Sequence, residues 1–177
     1  MFKWRLVLGH AFALGMCLSA GEATSAQMTS SAVLVAGRVA SFLQPSLSGT
    51  VTAAIIYKPG DAGSEREARA IERALGSGLV VGSLTLRPRR VSANALGELA
   101  GAKVAFVTLG TDYREIAAAA SARSILTIGS DPACTQAAQC VVTISASSRV
   151  QITVSRAATK AARLKFSSAF LMLIKEL

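Results

Sequence analysis

The sequence of 177 residues predicts an α/β fold, a three-layer Rossmann-like mixed sheet with mostly parallel strands, a C-terminal β-hairpin and terminal helices. Two observations predict it. Strand-like apolar runs alternate with helical patterns at the spacing of parallel βαβ units. After Asp131 the alternation stops, and two β-prone runs joined by a short polar turn indicate a hairpin. Hydrophobic residues form 51% of the chain, too many for a disordered protein.

The first 26 residues have the layout of a secretory signal peptide. A basic start, Met1 to Arg5, precedes an apolar run from Leu6 to Ala20 and a small-residue cleavage site at Thr24-Ser25-Ala26. The run of 15 residues is shorter than the roughly 20 that a membrane-spanning helix needs. We therefore expect an exported mature chain over residues 27–177 that forms one domain without a transmembrane helix.

Cleavage after Ala26 would remove the single histidine, His10, and one of the three cysteines, Cys17. A mature chain without histidine cannot build a Ser-His-Asp or Cys-His catalytic site, nor the usual histidine-containing zinc site. The composition therefore points away from enzymes. We expect no catalytic residues, no metal site and no cofactor.

The mature chain opens with a helix over residues 29–44, which Pro45 ends. The nearly continuous β-prone run from Val51 to Tyr57 predicts a strand buried on both faces. After a turn, Ser64 and Glu67 form a capping-box pattern that predicts the start of the second helix.

Further strands are predicted over residues 79–86, 104–109 and 124–128. Short helices are predicted between them, over residues 92–100 and from Asp112 to about Ala122.

The predicted hairpin strands span residues 140–145 and 149–154. An alanine-rich helix is expected over residues 155–163, and a last helix from Ser167 to Leu177.

Cys134 and Cys140 are the clearest chemical feature. An even number of cysteines in an exported chain usually means a disulfide, and five intervening residues do not fit the C-x-x-C spacing of a dithiol oxidoreductase. We expect a structural disulfide. A redox-sensing or metal-binding role is the alternative.

The loops after the first and third strands are the candidate ligand site. Gly60 and Asp61 follow the first strand, and Gly110 and Thr111 follow the third, where parallel sheets often bind ligands. The glycines around Gly60 fit neither a P-loop nor G-x-G-x-x-G, so an ordinary turn is the simpler interpretation than a phosphate site.

Arg87, Arg89 and Arg90 form the densest positive patch in a chain of net charge +9. Because no aromatic residues are interleaved for base stacking, we expect a solvated loop and no nucleic acid partner. Contact with an anionic lipid or with an acidic protein surface is the alternative.

In the C-terminal block, the predicted strand of residues 149–154 leads into an alanine-rich helix, and Leu164 precedes the Ser-Ser pair and leucine-rich end of residues 166–173. This block resembles the ending of the YfiR family of periplasmic proteins. Ile125 to Asp131 is similar to that family's fourth-strand region, and the Cys134–Cys140 loop lies where the family often carries a disulfide. Gln44 replaces the tryptophan that relatives usually have before Pro45.

The resemblance implies a non-catalytic periplasmic regulator. Such a protein binds the periplasmic sensory domain of a membrane signalling protein, such as a diguanylate cyclase, and represses it, which lowers cyclic di-GMP in the cell. We expect Phe166, just before the last helix, and Phe170 and Leu171 on it to contact this partner, or a second copy of the chain in a homodimer; burial in the core is the simpler alternative. The competing function is a small-molecule binding module related to solute-binding proteins, with its ligand at Gly60, Asp61, Gly110 and Thr111.

Overall fold

The computed structural model describes residues 27–146 and 150–177. The predicted signal peptide lies outside the described residues. In chain order the elements are α1 (Ser30–Ser41), β1 (Gly49–Tyr57), α2 (Ala62–Leu75), β2 (Leu79–Val81), β3 (Leu84–Ser92), a 3-10 turn (Leu96–Leu99), β4 (Ala102–Val107), α3 (Tyr113–Ser121), β5 (Leu126–Gly129), α4 (Pro132–Gln136), β6 (Val142–Ala146), β7 (Val150–Val154), α5 (Arg156–Ala161), α6 (Ser168–Leu171) and β8 (Lys175–Glu176).

Within the described residues, eight strands form one mixed sheet in the order β2-β3-β1-β4-β5-β6-β7-β8. The five central strands from β3 to β6 are mutually parallel. At one edge β2 runs antiparallel to β3; at the other, β6 and β7 form the predicted antiparallel hairpin and β8 pairs parallel with β7. The sheet confirms the predicted α/β class with mostly parallel strands.

Alternating residues of β1 build two separate apolar layers. Ala53 and Ile55 pack into the cluster beneath α1 and α2, whereas Ala54 and Ile56 pack into the cluster beneath the 3-10 turn and α3. Successive side chains of a strand point to opposite faces, so a strand covered on both sides needs an unbroken apolar run. This is why the buried part of β1, Ala53 to Ile56, shows no polar alternation.

The single strand predicted over residues 79–86 is corrected to two strands, β2 and β3, joined by a turn at Gly82, whose φ is +59°. The predicted loop containing Arg87, Arg89 and Arg90 is corrected to the second half of β3. Pro88 fits there because β2 pairs with the first three residues of β3 alone, and within residues 27–146 and 150–177 no strand pairs with the outer side of the second half.

The last helix is also shorter than predicted. It ends at Leu171, and the chain then extends into β8 instead of continuing to Leu177. The amide of Leu177 donates to Val154 O, its carbonyl accepts from Arg156 N, and the Arg156 guanidinium donates to the Glu176 carboxylate. These contacts with β7 and α5 override the local helical pattern. Among the described residues, no helix is long and apolar enough to cross a membrane.

Candidate functional site

The carboxyl ends of β1 and β4 form a topological switch point. The strands are neighbours, yet α2 leaves β1 over one face of the sheet and α3 leaves β4 over the other. The two following loops meet there, and a Cβ on Gly110 would lie 3.2 Å from Asp61 Oδ2. The structure therefore brings Gly60 and Asp61 close to Gly110 and Thr111, at the place where open α/β sheets usually bind ligands.

Two carboxylates already accept hydrogen bonds from backbone amides at this edge. Asp61 Oδ1 accepts a hydrogen bond from Ser64 N at 2.8 Å and caps α2, while Glu65 Oε1 accepts from Gly60 N at 3.2 Å. The predicted capping box is thus corrected: α2 begins at Ala62 with Asp61 as its cap, and Ser64 lies inside the helix. Two negative charges on these amides disfavour a phosphate.

The buried hydroxyl of Ser64 joins the two loops. It accepts a hydrogen bond from Lys58 N at 2.8 Å and lies 2.6 Å from Thr108 Oγ1. Since Thr108 donates its own proton to Ile56 O at 3.0 Å, Ser64 is the donor in the contact between the two hydroxyls. Ser64 therefore acts as a structural brace between β1, α2 and β4.

Glu67 has the most connected buried side chain at this edge. It is 0% exposed, and its Oε1 accepts hydrogen bonds from Met28 N and Ser130 Oγ, both at 2.8 Å. Its Oε2 accepts from Leu109 N, also at 2.8 Å. One carboxylate thereby joins the segment before α1 to the ends of β4 and β5. The sequence carried a signal for this burial, because Glu67 lies at i−4 and i−8 from the core residues Ile71 and Leu75.

Tyr113 completes the polar groups at this edge. Its hydroxyl donates to Asp131 Oδ2 at 3.1 Å, and Asp131 Oδ1 caps α4 by accepting from Ala133 N. Burial, followed by the nearby charges of Asp131 and Glu67, raises the pKa of Tyr113 well above its ordinary value. Tyr113 therefore stays a neutral hydrogen-bond donor at physiological pH.

In the terminal segment, residues 166–177, two of the three residues expected to contact a partner are buried. Phe166 and Phe170 are buried, and the ring of Phe170 stacks on Phe42 with centroids 5.0 Å apart. The centroids of Phe166 and Phe170 are 5.2 Å apart. Leu171 is half-buried. The two phenylalanines thus fasten the segment to the end of α1 and present little surface to a partner.

The most exposed apolar side chains of this segment are Met172 and Leu173. They are 83% and 81% exposed and lie in the turn between α6 and β8. Sequence reasoning placed both residues on a helix that continues to Leu177, with Met172 as part of an excess apolar surface, and did not predict this turn. We call this pair the terminal tip.

The predicted disulfide between Cys134 and Cys140 is present. Both cysteines are buried in the apolar layer beneath α3, and the bridge closes the loop from α4 to the start of β6. The loop is further fixed because the amides of Gln139 and Cys140 both donate to Cys134 O.

Reduction of this disulfide is expected to lower the free energy of unfolding by about 2 kcal/mol, the chain-entropy value for so short a loop. Urea unfolding with and without dithiothreitol measures the difference, and the Cys134→Ala/Cys140→Ala variant serves as a control that reductant should not affect. Two titratable thiols in the unreduced mature protein would contradict the structure.

One protein-family model shows which family this chain belongs to. The family model described as YfiR/HmsC-like (DUF4154) matches residues 61–174, more than half of the chain. The chain belongs to this family. The match includes Glu67, the disulfide loop and the buried phenylalanines of this YfiR/HmsC-like domain. No curated protein matches the chain.

Solved structures share the fold of this YfiR/HmsC-like domain at low sequence identity. A conserved domain protein from Vibrio cholerae aligns at a TM-score of 0.61 and 9% identity, over 81% of this chain and 59% of that chain. A Streptococcus pneumoniae ABC domain in complex with L-Trp gives a TM-score of 0.60 at 9% identity, with the same coverage of both chains. The ligand-free, open substrate-binding protein CD0873 from Clostridium difficile gives 0.52 at 12% identity, over 84% of this chain. The chain spans about three fifths of each of these structures.

Proposed function

We propose that the chain is a non-catalytic periplasmic regulator that binds and represses the periplasmic sensory domain of a membrane signalling protein, such as a diguanylate cyclase that makes cyclic di-GMP. Membership in the YfiR/HmsC-like family is the observation that carries this proposal. The polar groups at the carboxyl edge also support it, because Ser64 and Glu67 are engaged in bonds that hold the fold together.

The terminal tip is the surface we propose for the partner. Two adjacent apolar side chains that are more than four-fifths exposed gain the most from burial against another protein. The stacked Phe42 and Phe170 hold the preceding helix in place, so the tip is presented in a fixed position. The exposed Lys175 follows the tip and favours a partner with an acidic rim around an apolar pocket.

The test measures binding of the purified chain to the periplasmic domain of a membrane diguanylate cyclase from the same genome. We expect Met172→Asp/Leu173→Asp to weaken binding more than tenfold, since both residues would face a desolvated pocket. Val80→Asp is the matched control, because Val80 is 67% exposed on β2 at the opposite edge of the sheet. Unchanged binding by the double variant would contradict the proposed surface. Sedimentation velocity shows whether a second copy of the chain uses the tip instead.

A small-molecule binding module is the second candidate. Its support is the shared fold with an L-Trp-bound domain and a substrate-binding protein, together with the meeting of Gly60, Asp61, Gly110 and Thr111 at the switch point. The carboxylates of Asp61 and Glu65 at this edge favour a neutral or cationic ligand over an anion. A metabolite that raises the melting temperature saturably would support this function.

A further inference from the structure

A groove of about 390 Å³ lies between α5, the connection from α5 to α6, and the end of the terminal segment. Its apolar lining consists of the buried Val154 and Phe166 and the half-buried Leu164 and Leu171. This volume falls in the range of small-molecule sites, which combine an apolar wall with a few polar groups that orient the ligand. Neither the switch-point residues nor Met172 and Leu173 are among the residues that line the groove.

The charges on the groove are unbalanced in favour of cations. Arg156 donates from both Nε and Nη2 to Glu176 Oε2, at 3.0 and 2.5 Å, so these two charges offset each other. Lys160 and Lys165 also line the groove and are exposed, and neither takes part in an ion pair among residues 27–146 and 150–177. The two ammonium groups therefore leave a local positive charge beside an apolar wall.

We propose that this groove binds an amphipathic anion with a carboxylate head and a single apolar chain. The head would lie between Lys160 and Lys165, where it meets two cations. The chain would cover Leu164 and Leu171, which a small inorganic anion would leave in water. A cationic amphiphile of the same length is disfavoured by both lysines.

This proposal does not depend on the proposed protein partner. It does suggest how a ligand in the groove could affect the terminal tip. Leu171 lines the groove and is followed directly by Met172 and Leu173. A ligand against Leu171 would therefore contact the residue that begins the turn carrying the tip.

The experiment titrates the full mature chain with dodecanoate below its micellar concentration and measures the heat of binding by calorimetry. We expect saturable binding of dodecanoate and at least tenfold weaker binding of dodecanol and of dodecyltrimethylammonium. Equal binding of dodecanol would overturn the role of the lysines. Binding to phosphatidylglycerol vesicles without binding to free dodecanoate would overturn the groove in favour of a membrane surface.

The variant Lys160→Glu/Lys165→Glu should bind dodecanoate at least tenfold more weakly, since charge-assisted contacts are replaced by repulsion. Lys103→Glu is the matched control, because Lys103 is an exposed lysine on β4 that does not line the groove. Melting temperatures confirm that both variants fold. Equal affinities of the wild type and the double variant would place the ligand elsewhere and contradict the proposal.

Discussion

Replacement of Glu67 by alanine is expected to lower the free energy of unfolding by about 3–6 kcal/mol. The carboxylate is buried and accepts from Met28 N, Leu109 N and Ser130 Oγ. Alanine would leave these donors without their acceptor, and a buried donor left without a partner costs about 1–3 kcal/mol. Urea unfolding followed by circular dichroism measures the loss. The effect is large beside the roughly 5–15 kcal/mol by which most domains are stable.

Two further variants make the Glu67 experiment specific. Glu67→Gln keeps the shape but places an amide donor where one oxygen accepts, so we expect a smaller yet clear loss of stability. Glu65→Ala removes a carboxylate two residues away that pairs with Arg69 at 3.5 Å on the surface, and it should cost no more than about 1 kcal/mol. If Glu67→Ala cost no more than Glu65→Ala, Glu67 would not join these segments.

The second large effect is expected at Phe170. Phe170→Ala should lower the free energy of unfolding by about 3–5 kcal/mol, because the ring is buried and packs on both Phe42 and Phe166. Leu173→Ala is the matched control, since it truncates an exposed side chain three residues away and should change stability by less than about 0.5 kcal/mol. Thermal or urea unfolding of the two variants checks this difference. A fully stable Phe170→Ala variant would show that Phe170 does not anchor the terminal segment.

The parts of this fold that depend on the local sequence pattern could be predicted from the sequence. The nearly continuous β-prone run from Val51 to Tyr57 indicated a strand covered on both faces. Asp112 indicated the start of α3, where it accepts from Arg114 N and Glu115 N. The pairing of Cys134 with Cys140 followed from their even number and close spacing. The glycine loops at the switch point followed from the alternation of strands and helices.

Other features depend on residues far apart in sequence. Glu67 bonds to groups 39, 42 and 63 residues away, and no local pattern identifies such partners. The strand β8 forms because β7 is available for pairing, although residues 167–177 show helical spacing. The exposure of Met172 and Leu173 follows from this change of structure. The burial of Phe166 and Phe170 follows from their packing on each other and on the distant Phe42.

The central claim, regulation of a membrane diguanylate cyclase through the terminal tip, is tested most directly by the level of cyclic di-GMP in cells. We predict that loss of the gene raises the cyclic di-GMP level and that expression of the wild-type chain lowers it again to the original value. The Met172→Asp/Leu173→Asp variant should leave the level high, although it reaches the same periplasmic concentration as the wild type. Val80→Asp should restore it like the wild type. A level that stays constant when the gene is lost would contradict the account.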